Sequence, residues 1–433
     1  MKSWSRNKFI LALVYPNKEY CGVYSLGLRI IKNLVDSNSK WFTTLNYTDK
    51  NNLKSETFIG FTFQYEPDYL NFFNMLKENN IPLEKKNRSQ IVFAGGPCIN
   101  QNPFTLSKYL DFMVLGDSEA VMPKLLEIYE DSDNQQQFLN KILKIKGVFV
   151  PDLNEPTYAV LDNLDSAPYP ITQEYPKNLD KSFVFGKSLL LEIERGCPYR
   201  CKFCVIPTLT PIIRYRSYEK LIEIIDKGTR INNINKVAIY AASFVHPKRA
   251  RLLRHMIENN IKFIVPSTKV EFLDEEIMTL IKKNGQVSLT IAPEADEITR
   301  KSVNKLTPDE RFLEFAKLAK KLDFKKIKMY LLYGIPNQEI KDLEKTIDFI
   351  KKMKSIFPNV YPSINPVVPK PKTAFEGLPF NKKLLKQQAN YLRKELNKLN
   401  IDYKLESINT AYNEYLLANS KDLSPDFFRK VRH

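Results

Sequence analysis

The sequence predicts an α/β protein with two domains joined by a proline-rich linker. Short apolar runs alternate with amphipathic helical patterns along most of the 433 residues, which is typical of parallel sheets covered by helices. Five prolines between Pro151 and Pro176 interrupt this alternation and indicate a linker. A hydrophobic content of 43% is sufficient for packed cores in a chain of this length. The predicted divisions are a first domain at 1–150, a linker at 151–185, a second domain at 186–375 and a helical C-terminal extension at 376–433.

The first domain is predicted to be a doubly wound, Rossmann-like sheet. The predicted strands are residues 9–15, 58–63, 90–94 and 110–115, and the predicted helices are residues 26–35, 69–78 and 120–129. Ligands of such sheets bind outside the carboxyl ends of the strands. We therefore expect a candidate binding rim in the loops that follow the strands, at 16–22, 64–68, 95–100 and 116–119, including the turn glycines Gly95 and Gly96.

The second domain repeats the alternation with six strands. They are predicted at residues 189–194, 236–241, 263–266, 287–292, 326–333 and 363–368, and the helices at 218–228, 248–259, 274–284, 309–322 and 341–354. A last helix is predicted from Asn381, as its N-cap, to Leu399. The apolar stripe of this helix predicts packing against the second domain, and a basic side that faces RNA is an alternative use.

Three cysteines follow the first strand of the second domain, at Cys197, Cys201 and Cys204. An odd number of thiols cannot pair internally, and iron–sulfur clusters are held by closely spaced cysteines. Three thiolates would leave one iron of a four-iron cluster without a protein ligand, and an open coordination position is typical of a reactive metal site. Structural zinc and a structural thiol cluster are the alternatives. The three histidines argue against zinc, because none lies within forty residues of the loop: His246, His255 and His433.

The spacing of three and then two residues between these cysteines, with Phe203 before the last, resembles the signature of the radical S-adenosylmethionine (SAM) superfamily. The resemblance implies a partial (β/α)6 barrel of the TIM type, a [4Fe-4S] cluster on the three cysteines, and SAM chelated to the open iron. It also implies an electron donor such as a ferredoxin or flavodoxin. One electron from the reduced cluster would then split SAM into methionine and a 5′-deoxyadenosyl radical, which abstracts hydrogen from an unactivated carbon.

The same resemblance assigns further residues to SAM. A turn after the fifth strand matches one that brings backbone against adenine, and an acid and an arginine match contacts to the ribose and the carboxylate. At the position where many members carry two glycines and an acid for the SAM amino group, this chain has Ala241-Ala242-Ser243. The residues assigned in this way are Ser243, Glu294, Arg300, Gly334, Ile335 and Pro336. A helix cap for Glu294 and a solvated salt bridge for Arg300 are the structural alternatives.

Segments across both domains resemble an uncharacterised subgroup of radical SAM proteins with an amino-terminal domain of the cobalamin-binding type. They are residues 60–66, 94–98, 115–119, 290–295, 332–336 and 366–371. The resemblance implies cobalamin near Gly95 and Gly96, but no histidine precedes His246, so a histidine ligand to cobalt from this domain is excluded. The alternative is a degenerate domain in which the two glycines serve only a tight turn.

The predicted function is that of a radical SAM enzyme that functionalises an unactivated carbon. Methyl transfer is expected if cobalamin is bound, and C–C bond formation or rearrangement if it is not. An RNA base, as in tRNA modification, an isoprenoid lipid chain and a protein side chain are alternative substrates, and the net charge of +17 suits an anionic partner. A non-catalytic iron–sulfur protein for electron transfer or partner binding is the alternative function.

The sequence also predicts where the protein works. It contains five cysteines, three of them in one loop, and shows no cleavable leader and no apolar run long enough to span a bilayer. These features predict a cytoplasmic protein without a transmembrane segment.

Overall fold

A computed structural model of the protein describes residues 9–53 and 56–427. It divides into two compact units, residues 9–186 with 416–427, and residues 187–415. His433 lies outside the described residues. Among those that are described, no helix is both long enough and apolar enough to cross a membrane.

The first unit contains one six-stranded sheet. Its strands are β1 (Phe9–Val14), β2 (Trp41–Asn46), β3 (Phe58–Thr62), β4 (Ile91–Gly95), β5 (Phe112–Val114) and β6 (Val148–Phe149). Its helices are α1 (Glu19–Gly22), α2 (Leu26–Asp36), α3 (Tyr69–Glu78), α4 (Pro97–Gln101), α5 (Met122–Glu130) and α6 (Gln135–Ile142). The spatial order is β2-β1-β3-β4-β5-β6, in which β6 alone is antiparallel to its neighbour. The strands β2 and β6 and the helices α1, α4 and α6 were not predicted.

Alternate residues of each central strand enter different hydrophobic clusters. In β1, Leu11 and Leu13 join side chains of α2, α5 and α6, whereas Ala12 and Val14 join those of α3 and α4. Because successive strand residues point to opposite faces, the two clusters lie on the two sides of the sheet. This confirms the doubly wound arrangement. The strand order reverses between β1 and β3, which is the point where such sheets bind ligands.

The second unit contains the remaining strands and helices. Its strands are β7 (Leu189–Glu192), β8 (Glu194–Arg195), β9 (Arg214–Tyr215), β10 (Lys236–Tyr240), β11 (Lys262–Ile264), β12 (Ser288–Glu294), β13 (Lys326–Tyr333), β14 (Val360–Pro366) and β15 (Lys404–Leu405). Its helices are α7 (Ile206–Leu209), α8 (Tyr218–Asn232), α9 (Arg249–Glu258), α10 (Glu275–Lys283), α11 (Glu297–Ser302), α12 (Asp309–Lys321), α13 (Ile340–Ile356), α14 (Lys382–Lys398) and α15 (Ile408–Asn419), whose last residues belong to the first unit.

The six predicted strands of this unit form two parallel sheets that are joined by a single bridge. One sheet has the order β11-β10-β7 and the other the order β12-β13-β14-β15. A parallel bridge between Thr268 and Ile291 connects the segment after β11 to β12. The result is the curved α/β arrangement expected of a partial barrel, extended by the short strand β15, which was not predicted. Helix α14 begins as predicted, because the Asn381 side chain accepts a hydrogen bond from the Leu384 amide.

Candidate metal centre

The cysteine loop leaves the end of β7 through a tight turn at Gly196. This residue has a φ of 95°, in the left-handed region that favours glycine. A Cβ atom at this position would lie 2.8 Å from the Ile212 carbonyl oxygen. The antiparallel pair β8 and β9 flanks the turn, with Arg195 opposite Arg214. Glycine is therefore required where the loop begins.

Hydrogen bonds from distant segments fix the body of the loop. The Lys202 amide donates to the Val303 carbonyl oxygen at 3.0 Å, and the Lys202 carbonyl accepts from the Ala374 amide at 3.0 Å. The Asn304 side chain donates to the Arg200 carbonyl oxygen at 2.8 Å. The Phe203 ring packs on a buried cluster formed by Ala295, Val303, Ile335, Val367 and Phe375. The aromatic residue of the motif thus anchors the loop to the barrel.

The three cysteines of the loop are free and partly exposed. Burial raises the pKa of Cys201, although the charges of Lys305 and Lys269 oppose this shift. Burial also raises the pKa of Cys204 to about 11. Because the thiolate is the form that binds a metal, these thiols must lose their protons when a metal is bound.

The donor set consists of three cysteine thiols, the ligand type that holds iron–sulfur clusters. Within residues 9–53 and 56–427, no three His, Cys, Asp or Glu side chains form a group that could hold one metal ion. The thiolates of a four-iron cluster bind different irons, so they need not meet at one point. The three free cysteines lie on one anchored loop, and all the predicted ligands are thiols, as such a cluster requires.

Two lysines, the buried Lys305 and the half-buried Lys269, compensate negative charge beside the loop. Lys305 Nζ lies 2.9 Å from Glu294 Oε1, and both side chains are almost fully buried. Lys269 Nζ lies 3.2 Å from the ring centroid of Tyr199, and burial lowers the pKa of this lysine. Desolvation of Tyr199 raises its pKa to about 12, so its hydroxyl stays protonated. Neither lysine was singled out from the sequence, because no local pattern shows that they converge on Cys201.

A buried carboxylate organises the segment predicted to bind the SAM amino group. Glu194 accepts hydrogen bonds from the amide and the hydroxyl of Ser243, at 3.1 and 3.3 Å, and from the Val245 amide at 3.0 Å. Burial raises the pKa of Glu194, and these hydrogen bonds oppose the shift. The hydroxyl of Ser243 is thus engaged inside the protein. Sequence reasoning did not identify Glu194, which stands next to Arg195 in an ordinary strand ending.

The Arg300 side chain is held within the protein, and its contact with SAM stays a prediction. Its side chain is fully buried and donates four hydrogen bonds. The acceptors are the carbonyl oxygens of Pro293, Ala295 and Thr307 and the Asp309 carboxylate. The guanidinium also lies 4.4 Å from the Phe312 ring centroid. These contacts hold the segment after β12 together. Glu294, at the end of that strand, has a φ of 66° and is paired with Lys305.

The turn after β13 is supported from behind by α14. Gly334 has a φ of 73°, and a Cβ atom there would lie 2.3 Å from Leu385. The amides of Gly334 and Ile335 both donate to Gln338 Oε1, at 2.8 and 3.3 Å. Gln388 is fully buried and donates to the Gln338 carbonyl oxygen. The turn, which continues into Pro336, is therefore held in one conformation by two glutamines.

In the first unit, the predicted rim glycines pack against their own sheet. Gly96 has a φ of 95°, and a Cβ atom there would lie 2.8 Å from the Phe63 carbonyl oxygen. For Gly95 the corresponding neighbour is the Val114 carbonyl oxygen at 3.1 Å. Internal packing thus explains why both residues are glycine, and a ligand would meet their backbone alone.

The rim is closed at β5 and remains accessible near β1 and β3. The predicted linker lies along the end of β5, where the Ala159 amide donates to the Leu115 carbonyl oxygen and the Asp117 carboxylate accepts from the Leu161 amide. In the loops after β1 and β3, the Asn17 side-chain amide donates a hydrogen bond to the buried Asp68 carboxylate at 2.8 Å. The Tyr65 side chain beside it is 39% exposed. The accessible part of the rim therefore coincides with the reversal of strand order.

Comparisons with known proteins match this architecture. The family model for the radical SAM superfamily matches residues 191–350, and the model for radical SAM proteins, N-terminal, matches residues 30–151. An uncharacterized protein of Methanocaldococcus jannaschii is 30% identical over 425 residues, which cover 95% of this chain and 89% of the relative. The chain belongs to the radical SAM superfamily. It is a radical SAM enzyme, and the superfamily uses a [4Fe-4S] cluster and SAM.

Two further proteins are similar to this radical SAM enzyme. A putative methylthiotransferase of M. jannaschii is 27% identical over 290 residues, covering 61% of this chain and 58% of the relative. The radical SAM methyltransferase TsrM from Kitasatospora setae, solved with cobalamin and a [4Fe-4S] cluster bound, has a TM-score of 0.64 at 15% identity. That match covers 85% of this chain and 77% of TsrM. It confirms the predicted α/β fold.

Proposed function

We propose that this radical SAM enzyme binds cobalamin in its first unit and transfers a methyl group to an unactivated carbon. The observation that carries the proposal is the fold shared with TsrM, a methyltransferase solved with cobalamin, over 85% of the chain. The sheet order of the first unit supports it, because the accessible part of the rim lies at the switch point between β1 and β3.

The barrel residues supply the reductive half of this proposal. Cys197, Cys201 and Cys204 would hold the cluster, which when bound supplies the electron that cleaves SAM. Lys269 and Lys305 offset the negative charge of three thiolates in a poorly solvated loop. The rigid turn at residues 334–336 offers a fixed backbone edge, and the anchored loop prevents the cysteines from moving away from the site.

The first unit would hold the methyl carrier. No histidine precedes His246 in the sequence, so residues 9–186 offer no histidine ligand to cobalt. The polar residues at the open rim would contact the cofactor instead. These residues are Asn17, Gln64, Tyr65 and Asp68. Cobalamin, when bound there, supplies a carrier for the methyl group. An RNA base, an isoprenoid chain and a protein side chain all carry carbons that could accept the methyl group.

Anaerobic purification with cluster reconstitution and added hydroxocobalamin tests the proposal. With SAM and a reductant, we expect 5′-deoxyadenosine, corrin absorbance that coelutes with the protein, and transfer of a deuterated methyl group from SAM to product. If 5′-deoxyadenosine forms but no corrin is bound, the proposed methyl transfer is wrong, and the result would favour C–C bond formation or rearrangement. A cluster that never cleaves SAM would indicate an electron-transfer or partner-binding protein.

Cys201→Ala provides the matched control for the metal-dependent signals. This variant is expected to lose 5′-deoxyadenosine formation while it keeps its corrin absorbance, because Cys201 lies in the second unit and the rim in the first. Loss of both signals in a folded variant would contradict the assignment of the two cofactors to separate units.

A further inference from the structure

The net positive charge of the chain lies almost entirely in the second unit. Residues 187–415 contain 42 Lys and Arg against 26 Asp and Glu, whereas the rest of the sequence contains 24 against 23. The net charge of +17 therefore resides almost entirely in the barrel unit. Surface lysines that served only solubility would be expected in both units, so their excess in one unit is not explained by solubility alone.

Within this unit, helix α14 presents a basic outer face. Its buried side consists of Leu385, Gln388, Ala389, Leu392 and Leu396. Four exposed cations lie on the opposite side at helical spacing, Lys383, Lys386, Arg393 and Lys394. They extend over about 16 Å of the helix axis, which is long enough to meet several successive phosphates.

Among the described residues, these four cations have no acidic partner, in contrast to several cations on other helices of the unit. On α8, Glu223 accepts hydrogen bonds from both Lys220 and Lys227. On α13, Lys345 pairs with Asp342 at 3.0 Å. Within residues 9–53 and 56–427, no carboxylate forms an ion pair with any of the four cations of α14. The one acidic residue of that helix, Glu395, pairs with Lys398 at 2.8 Å.

We propose that the outer face of α14 is a docking surface for RNA. Cations without acidic partners provide favourable sites for phosphates, because no internal ion pair has to break when RNA binds. Exposed amides are interleaved with the cations at Gln387, Asn390 and Asn397. The Oδ1 atoms of Asn390 and Asn397 accept hydrogen bonds from Arg393 and Tyr403, which leaves their NH2 groups to donate to phosphates and sugars.

The same face is poorly suited to a membrane surface. An interfacial helix buries an apolar face in the bilayer, whereas the apolar face of α14 is already buried within its own unit. Leu384 is the large apolar side chain exposed on this helix, at 37%, and a single leucine gives little anchoring.

The position of α14 connects this surface to the candidate metal centre. Its inner face places Leu385 and Gln388 against the turn at residues 334–336. One helix thus supports a predicted SAM-binding turn on one side and presents cations on the other. The docking surface makes RNA the substrate class, and this part of the inference rests on the proposed function; RNA binding itself does not.

RNA binding by the full-length reconstituted protein tests the surface without turnover, so its failure leaves the proposed function untouched. The variant Lys383→Gln/Lys386→Gln/Arg393→Gln/Lys394→Gln removes the four cations. The control Lys317→Gln/Lys320→Gln/Lys321→Gln/Lys325→Gln removes four exposed lysines on and just after α12. Fluorescence anisotropy would follow a fluorescein-labelled RNA hairpin and a labelled single strand between about 50 and 200 mM salt.

The α14 variant is expected to bind RNA roughly tenfold or more weakly, with the slope of log K against log salt reduced by about 3 for the single strand. The α12 control is expected to bind nearly as well as the wild type. Equal weakening of the two variants, or unchanged binding by the α14 variant, would overturn the proposal. So would binding to phosphatidylserine vesicles that depends on these four cations while RNA binding does not.

Discussion

The strand ends of the two units are used differently. At the end of β7, the anchored loop leaves three thiols free while its backbone is hydrogen bonded to segments after α11 and β14. At the ends of β4 and β5, the space is filled by the protein's own backbone around Gly96 and Gly116. The barrel thus presents reactive side chains at a strand end, whereas the first unit packs its own backbone against two of its strand ends.

The largest effect is expected from removing one thiol of the barrel site. Cys201→Ala should lose the four-iron cluster and reduce 5′-deoxyadenosine formation to background, because two thiolates cannot replace three. Cys21→Ala, in the first unit, should keep its full iron content. Iron and sulfide analysis with product quantification measures both. Equal iron loss in the two variants would show that the cluster is not confined to the barrel loop.

A large loss of stability is expected from Arg300→Met. The substitution leaves three buried carbonyl oxygens and the Asp309 carboxylate without their donor, which should cost about 3–5 kcal/mol of unfolding free energy. Lys301→Met, at the exposed neighbouring position, should cost less than about 1 kcal/mol. Urea unfolding measures the difference. If Arg300→Met were as stable as the wild type but had a higher KM for SAM, the predicted contact with SAM would be correct instead.

The rim of the first unit should respond to pH through Asp68. Burial raises the pKa of this carboxyl from 3.8 to about 6, against the hydrogen bond from Asn17. The folded state holds this proton more tightly than the unfolded chain, so protonation of Asp68 stabilises the fold. This contribution to the unfolding free energy is complete below about pH 4 and is lost as the pH rises through 6. The loss amounts to at most about 3 kcal/mol.

The variant Asp68→Asn, which stays neutral, isolates this effect. Its unfolding free energy should change less than that of the wild type between about pH 4 and 7, whereas Asp162→Asn, at an exposed position, should follow the wild type. Urea titrations at several pH values give the comparison. If the unfolding free energies of the wild type and Asp68→Asn changed in parallel with pH, the raised pKa of the Asp68 carboxyl would be contradicted.

The smallest effects separate two glycines of the first unit. Gly96→Ala should destabilise by about 2 kcal/mol, because alanine is strained at a φ of 95° and its Cβ would contact the Phe63 carbonyl oxygen. Gly27→Ala should stabilise α2 by roughly 0.5–1 kcal/mol, since within the described chain a Cβ there would meet nothing within 4 Å beyond its chain neighbours and the backbone of its own helix. Thermal unfolding checks both, and a neutral Gly96→Ala would mean that the turn is not under this constraint.

Much of the fold follows from hydrophobic periodicity. The six barrel strands and the central strands of the first sheet were predicted from apolar runs, and the structure confirms that they form parallel sheets. The edge strand β2 was missed, because four of its six residues are only half-buried and the apolar pattern is weak. The strand β6 was missed because two residues, Val148 and Phe149, are too short a signal.

The site was predictable where the chemistry is local in sequence. Three cysteines in one loop indicate a cluster without knowledge of the fold. Other contacts join segments that are distant in sequence, so only the folded chain reveals them. Examples are the hydrogen bond from Ser243 to Glu194 and the ion pair of Lys305 with Glu294. The burial of Arg300 and its hydrogen bonds to three carbonyl oxygens were likewise not visible in the sequence, which showed only a charged residue near a motif.

The central claim is that the cysteine loop holds a four-iron cluster with one iron left for SAM. The most direct test is the EPR spectrum of the reduced, reconstituted protein, recorded with and without SAM. The account predicts a [4Fe-4S]+ signal that changes when SAM is added and disappears in Cys201→Ala. A protein without that signal, or one whose signal is insensitive to SAM, would contradict it.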